Sequence, residues 1–169
     1  TMLRGKIKQA ADWLSIRSII RGRKDLYYNH PVPWLGFGEI RPDNEGTVER
    51  CEKILSFIDG LGIKKGVSLD IGCSFGYFSL KLVERGFFAY GLENLEDFLK
   101  IATFAAKEIK GDGVFIPINA ALTRDNVSFL PQSDITICLA VWHHFVRYLG
   151  RDDADMVLGS LWDNTRKVL

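Results

Sequence analysis

One stretch constrains the fold of this 169-residue chain more than any other. It runs Val67-Ser68-Leu69-Asp70-Ile71-Gly72-Cys73-Ser74-Phe75-Gly76-Tyr77-Phe78-Ser79, and Glu93 closes a second apolar run behind it. A buried strand breaks at a glycine-bearing turn, a helix opens, and an acid follows about 20 residues on, which is how an α/β chain builds a crevice for a nucleoside. Glycines let a ligand approach the backbone, and a carboxylate accepts two hydroxyl hydrogen bonds at once. A dinucleotide site asks for G-x-G-x-x-G, so that bare backbone meets a pyrophosphate. Here the spacing is Asp70-x-Gly72-x-x-x-Gly76. No phosphate cradle is evident, which weighs against a nicotinamide-linked oxidoreductase.

The rest of the chain alternates around this turn. Residues 5–20 read as an amphipathic helix, with Trp13, Ile16 and Ile20 in a stripe, Ile7, Ala10 and Leu14 alongside, and Gly22 as the stop. Residues 47–61 read as a second helix with Val48, Cys51, Ile54, Leu55 and Ile58 on its apolar side. Between them, residues 25–44 form an irregular linker whose Tyr27, Tyr28, Trp34 and Phe37 should pack on the domain or on a ligand, as a lid or as a strap. Strands are expected at 66–71, 87–92, 114–118 and 134–141, and helices at 77–85, 95–109 and 152–169. This is α/β: a Rossmann-like, mostly parallel sheet with flanking helices, preceded by an N-terminal helical extension. Residues 1–46 make the basic helix and aromatic linker, and residues 47–169 the nucleoside-binding domain.

At Leu69-Asp70-Ile71-Gly72-Cys73-Ser74-Phe75-Gly76 the chain resembles the class I S-adenosylmethionine-dependent methyltransferases, whose first motif reads hydrophobic-(D/E)-hydrophobic-G-x-G-x-G. The departure is Ser74 at the middle glycine; a serine there can still donate a hydrogen bond. The resemblance runs from about Val67 to the C-terminus. It implies S-adenosylmethionine as cofactor, with Asp70, Gly72, Cys73, Ser74, Gly76 and Tyr77 at its methionine part. It also implies Glu93 and Asn94 at the ribose, Asn119 and Ala120 at the adenine, and Ala140 at the end of the fourth strand. Two local readings stand beside these: Glu93 suits a helix N-terminus, and Asn119 suits a turn.

The segment Cys138-Leu139-Ala140-Val141-Trp142-His143-His144-Phe145 resembles a strand ending found in small-molecule methyltransferases of this class. It implies His143 and His144 as candidate catalytic residues beside the methyl group. A neutral imidazole can take the proton of an acceptor hydroxyl. Alternatively the histidines only line the pocket, because in-line displacement asks chiefly for alignment. The family's sheet has seven strands against four placed here, so the chain looks truncated after the fourth. The exposed sheet edge then invites a dimer. Gly76-Tyr77-Phe78-Ser79 and Asn119-Ala120-Ala121-Leu122 resemble methyltransferases of natural products and saccharides. The implied reaction is methyl transfer to an oxygen or nitrogen of a small-molecule or saccharide acceptor.

Composition narrows the rest. There is no run of about 18 apolar residues to span a membrane and no signal peptide pattern. Cys51, Cys73 and Cys138 lie far apart, so a disulfide framework is not expected and a reducing cytoplasm is. His30, His143 and His144 lack zinc-ligand spacing, and no metal is expected. The net charge of +1 hides an asymmetry. Arg4, Lys6, Lys8, Arg17, Arg21, Arg23 and Lys24 stand against Asp12 alone, so the first 24 residues carry +6 and the remainder −5. A basic arm admits an RNA methyltransferase as the alternative, and a solvated helix face as the plainer reading. A non-catalytic member that binds the cofactor or a protein partner is the further alternative.

Overall fold

Val67–Ile71 (β1) is buried along nearly its whole length, as a strand covered on both faces must be. The computed structural model, which describes residues 2–22, 45–109 and 112–169, places it at the centre of a sheet. β1 pairs in parallel with Phe88–Glu93 (β2) on one side and with Ser133–Ile137 (β4) on the other. Val114–Asn119 (β3) lies outside β2, and Thr165–Val168 (β5) lies outside β4. The order β3-β2-β1-β4-β5 reverses direction at β1. Such a switch point leaves a crevice beyond the C-terminal ends of the two central strands.

Helices cover both faces. Glu45–Gly60 (α2) and Tyr77–Val83 (α3) close one face through Cys51, Leu55, Ile58, Tyr77, Phe78 and Leu82 against Ile135 and Ile137. Glu96–Glu108 (α4) continues that layer over Ala89 and Phe115 with Ala102 and Ala105. Trp142–Leu149 (α5) and Arg151–Asp163 (α6) cover the other face, where Phe145, Ala154, Val157 and Leu161 meet Leu69, Ile71 and Leu92.

The N-terminal helix, Met2–Gly22 (α1), packs on α4. Ile16 is buried among Phe75, Ile101 and Phe104, with Trp13, Ile19 and Ile20 beside it. The stripe of Trp13, Ile16 and Ile20 faces inward as expected, and Ile19 joins it. Of the residues expected alongside, Leu14 is 62% exposed and Ala10 faces solvent, and the Ile7 side chain lies outside the described residues. Periodicity fixes which residues share a side, but the position of α4 chose the side. Asp12 reaches Lys107 of α4 at 4.0 Å, and Arg17 lies 4.5 Å from the Trp13 ring centre. The aromatic linker at 25–44 lies outside the described residues.

Two expectations are corrected at the C-terminal end. The fourth strand ends at Ile137 rather than at residue 141, and residues 142–149 form a helix. Trp142, Phe145, Val146 and Leu149 stand at i, i+3, i+4 and i+7, a helical stripe masked in the sequence by its continuity with the apolar strand. The helix expected over 152–169 stops at Asp163, and Thr165–Val168 forms a fifth strand. The chain therefore does not stop after four strands. Ser133 N–H donates to the Asn164 carbonyl at 3.1 Å, and the Thr136 and Thr165 hydroxyls bond at 2.6 Å, so β4 captures the segment that follows α6.

At the opposite end of the sheet from the crevice, Asp134 ties three strands. Its Oδ2 accepts from the Val67 N–H at 2.9 Å and from Arg166 at 3.1 Å, and Lys167 lies 3.5 Å from Oδ1. A Cβ on Gly66 would overlap the same carboxylate. Burial opposes the charge of Asp134, but the Val67 bond and the two cations outweigh it and hold the carboxyl below its ordinary pKa. Asp134→Ala should therefore destabilise the fold by roughly 1–3 kcal/mol at neutral pH. Because the folded pKa is depressed, this contribution is present above about pH 4 and lost as pH falls through the folded value. Urea denaturation at pH 7 and pH 3 checks both: the gap between wild type and variant should narrow in acid.

Candidate functional site

The turn after β1 is built from backbone that only particular residues tolerate. Gly72 (φ 69°) and Gly76 (φ 82°) are left-handed, and so is Ser74 between them (φ 54°). Ala140, in the loop after β4, has φ 55°. Among the described residues Ser74 and Ala140 are the non-glycine positions with positive φ. Each costs of order 1–3 kcal/mol, and such strain gathers at ligand sites. Both lie beyond the C-terminal ends of the two central strands.

The glycines are demanded by the protein's own packing. A Cβ on Gly72 would come within 2.8 Å of Val141 Cγ2, so the β1 turn and the loop after β4 touch there. A Cβ on Gly76 would overlap the Phe115 ring of β3. A Cβ on Gly91 in β2 would come within 2.7 Å of Cys73 Sγ and 2.8 Å of the Phe115 ring. Close approach is real at all three, with side chains of the chain as the neighbours.

Glu93 ends β2 and is 7% exposed. Its Oε2 accepts the Ser74 N–H at 3.0 Å, which binds the acid to the glycine turn across 19 residues. Its Oε1 accepts the Asn94 and Leu95 N–H groups, each at 2.8 Å. The helix-N-terminus reading of Glu93 is thus realised, since these donors precede the first turn of α4, which also carries Glu96 and Asp97. A carboxylate offers about four acceptor positions, which leaves one on Oε2. Asn119 stands beside Glu93 in register at the end of β3, and the Ala120 N–H donates to the Glu93 carbonyl at 3.2 Å. Asn94 and Asn119 are both exposed.

Asp70 is 3% exposed and accepts from the Ser79 hydroxyl at 2.8 Å. Burial pushes its pKa up to about 6, Ser79 opposes the rise, and the Glu93 charge adds to it. Cys73 is buried with Sγ 3.7 Å from the Ser74 carbonyl; burial, then Asp70 and Glu93, drive its thiol well above the ordinary range. It packs, and it is a poor nucleophile. Tyr77 sits in the core edge-to-face with Phe78 at 5.6 Å, its phenol pushed up to about 12 by burial. A small cavity of about 20 Å³ runs along the turn between Asp70, Ser74, Tyr77 and Leu139. A larger apolar cleft of about 590 Å³ opens between α2 and the β4–β5 edge, and none of the residues expected at the site lines it.

His143 and His144 lie on the first turn of α5, exposed, with ring centres 4.0 Å apart. The His144 ring is nearly parallel to Tyr148 at 6.3 Å. The intervening Val141 touches Gly72, so the histidines follow directly from the crevice rim.

One observation bears on what the turn holds. Ser74 Oγ is buried and has no hydrogen-bond partner; Ser68 Oγ in β1 is the other such atom among the described residues. An orphaned hydroxyl and a carboxylate with one spare acceptor position therefore meet at a single strained turn. Buried polar groups are normally satisfied. These residues fit a ligand carrying both an acceptor and a hydroxyl donor, as the amino-acid and ribose parts of S-adenosylmethionine do.

A parallel sheet of this order, with a glycine turn after its central strand and an acid ending the next, is a Rossmann-like fold, consistent with that of the class I S-adenosylmethionine-dependent methyltransferases. No family model matches the chain. It is similar in sequence to the O-antigen chain terminator bifunctional methyltransferase/kinase WbdD of Escherichia coli, at 27% identity over 103 residues. That match takes in 60% of this chain and 14% of the relative. A solved structure of the bifunctional kinase-methyltransferase WbdD superposes with a TM-score of 0.70 at 23% identity, over 90% of this chain and 34% of that one. Magnesium protoporphyrin IX methyltransferase (ChlM) from Synechocystis PCC 6803, solved with bound SAM, gives a TM-score of 0.56 at 21% identity, over 72% of this chain and 55% of that one. The chain thus spans about one seventh of the curated relative it matches.

Three residues escaped the sequence reading: Phe75, Phe115 and Val141. Each is an ordinary apolar residue whose contact with the site comes from tertiary approach. Only Phe75 carried a signal, being a large apolar side chain inside a turn.

Proposed function

We propose that the chain binds S-adenosylmethionine at the turn after β1 and serves a methyltransferase acting on an oxygen or nitrogen of a saccharide or other small-molecule acceptor. The observation that carries this reading is the Ser74–Glu93 hydrogen bond, which joins the glycine turn to the acid at the crevice. The turn from Gly72 to Gly76, with the free Ser74 hydroxyl, takes the amino-acid end. Glu93 Oε2 accepts a ribose hydroxyl, and Asn119, next in register, accepts from the adenine amino group through its side-chain carbonyl. The cofactor, when bound, supplies a methyl group activated by the sulfonium. His143 and His144, following from the rim, align the acceptor or take its proton. The saccharide reading draws support from the likeness to an O-antigen chain terminator.

Calorimetric titration with S-adenosylmethionine and S-adenosylhomocysteine, with NAD as control, tests the cofactor. Binding near micromolar, about −8 kcal/mol, is expected for the first two and none for NAD. A folded protein that takes NAD, or neither sulfur ligand, sinks the reading. His143→Ala and His144→Ala should leave cofactor affinity within about twofold. The one acting as base should lower methyl transfer by roughly 10²-fold.

A further inference from the structure

The turn that the proposed function rests on shares a buried cluster with the N-terminal helix. Phe75, in the middle of that turn, is 1% exposed. Its ring meets Phe98 of α4 edge-to-face at 5.3 Å, and it shares a buried cluster with Ile101 and Phe104 of α4 and with Ile16 of α1. Ile16 is 4% exposed and, among the described residues of α1, is the buried one in this cluster. Ser74, immediately before Phe75, is left-handed, a conformation that persists only when its surroundings over-determine it. One side of that constraint is the Glu93 bond to the Ser74 N–H. The other is the anchoring of Phe75.

We infer that α1 is part of the cofactor site: Ile16, through Phe75, is a positioning residue that keeps the turn after β1 in its strained, ligand-ready shape. Ile16 touches no ligand. It acts by closing the cluster around Phe75, so that the turn cannot relax Ser74 to an ordinary φ without exposing an aromatic ring. A pre-ordered loop spares the ligand the ordering cost that it would otherwise meet on binding. The inference deepens the cofactor reading and depends on it for the affinity it explains.

The test compares Ile16→Ala with Leu14→Ala in the intact protein. The two residues lie on the same helix, one buried and one 62% exposed. S-adenosylhomocysteine affinity is read by calorimetry, and hydrogen exchange of the Cys73, Ser74 and Gly76 amides is read in parallel. Those amides bond to the Leu92 carbonyl at 2.9 Å, to Glu93 at 3.0 Å and to the Cys73 carbonyl at 2.8 Å, so their protection reports the turn directly. Ile16→Ala should weaken binding roughly five- to tenfold and lower protection at these amides, with β1 and β4 amides unchanged. Leu14→Ala should change neither, and Ile16→Val should restore most of both. Equal effects from Ile16→Ala and Leu14→Ala, or turn protection unmoved by Ile16→Ala, overturn the inference. If the wild type fails to bind S-adenosylhomocysteine, the cofactor reading falls, and the exchange data still decide whether α1 holds the turn.

Discussion

Glu93→Ala is expected to abolish binding of S-adenosylhomocysteine and to destabilise the domain in the same stroke. The carboxylate serves three backbone donors, from Ser74, Asn94 and Leu95, while it is 7% exposed. A hydrogen bond to a charged group contributes about 1.5–3 kcal/mol, and a buried donor left unpaired loses its solvation as well. Water can reach Asn94 and Leu95, which are exposed, so the expected loss is roughly 2–4 kcal/mol rather than the full sum. Urea denaturation at pH 7 measures it. The affinity should fall by at least about 100-fold, because the ribose loses its acceptor and the turn loses its tether to β2. Glu93→Gln separates the two roles. Its single carbonyl oxygen can keep some of the backbone bonds, so stability should fall less than in the alanine variant while affinity still falls more than about tenfold. An alanine variant that binds as tightly as wild type would falsify the assignment of Glu93 to the ligand.

The second large effect has the opposite sign for stability. Asp70 is buried, and its carboxyl is pushed up to about 6, chiefly by burial. The unfolded chain titrates this group near 3.9. Between about pH 4 and 6 the folded state therefore binds more protons than the unfolded state, and stability falls as pH rises. By pH 7.5 the ionised group costs the fold roughly 1–3 kcal/mol. Asp70→Asn keeps an oxygen for the Ser79 hydroxyl and removes the titration. Measured against wild type, the variant should gain stability by that amount between pH 4.5 and pH 7.5. Asp134→Ala shows the reverse pH dependence, because partners depress the one carboxyl where burial raises the other. Ligand binding should move the other way. A cationic ligand at the turn favours the ionised Asp70, so wild-type affinity should weaken below about pH 6 and the asparagine variant should be weaker and nearly pH-independent. A wild-type stability profile that is flat from pH 4.5 to 7.5 contradicts the buried-acid account.

The cost of an ionised Asp70 at neutral pH, the two left-handed residues and the orphaned Ser74 hydroxyl fall within one turn and the loop facing it. A fold optimised only for stability would carry none of them. They are the kind of local inconsistency that gathers where a site has been built.

Much of this was legible in the chain because it depends on local chemistry. The β1 turn was readable since an apolar strand, spaced glycines and a following acid each have a local cause, and α/β alternation has a period that sequence displays. The C-terminal third was harder to read. The break at Ile137 is invisible when apolar residues run on from strand into helix, and Thr165–Val168 became a strand only because β4 offered an unpaired edge to it. The aromatic character of Phe75 could be read, but not its purpose, since Ile16 lies 59 positions earlier on a helix whose buried side was chosen by α4.

The sequence by itself determined where the turn is, which acid follows it, and that a parallel sheet surrounds them, because these rest on residue types and short-range periodicity. Tertiary structure alone decided that Glu93 grips Ser74, that Val141 closes on Gly72, that Asp70 is buried enough to hold its proton near pH 6, and that α1 braces the turn. Each of those depends on which surfaces meet, and the free energy of burial that settles it is summed over contacts between residues far apart in the chain.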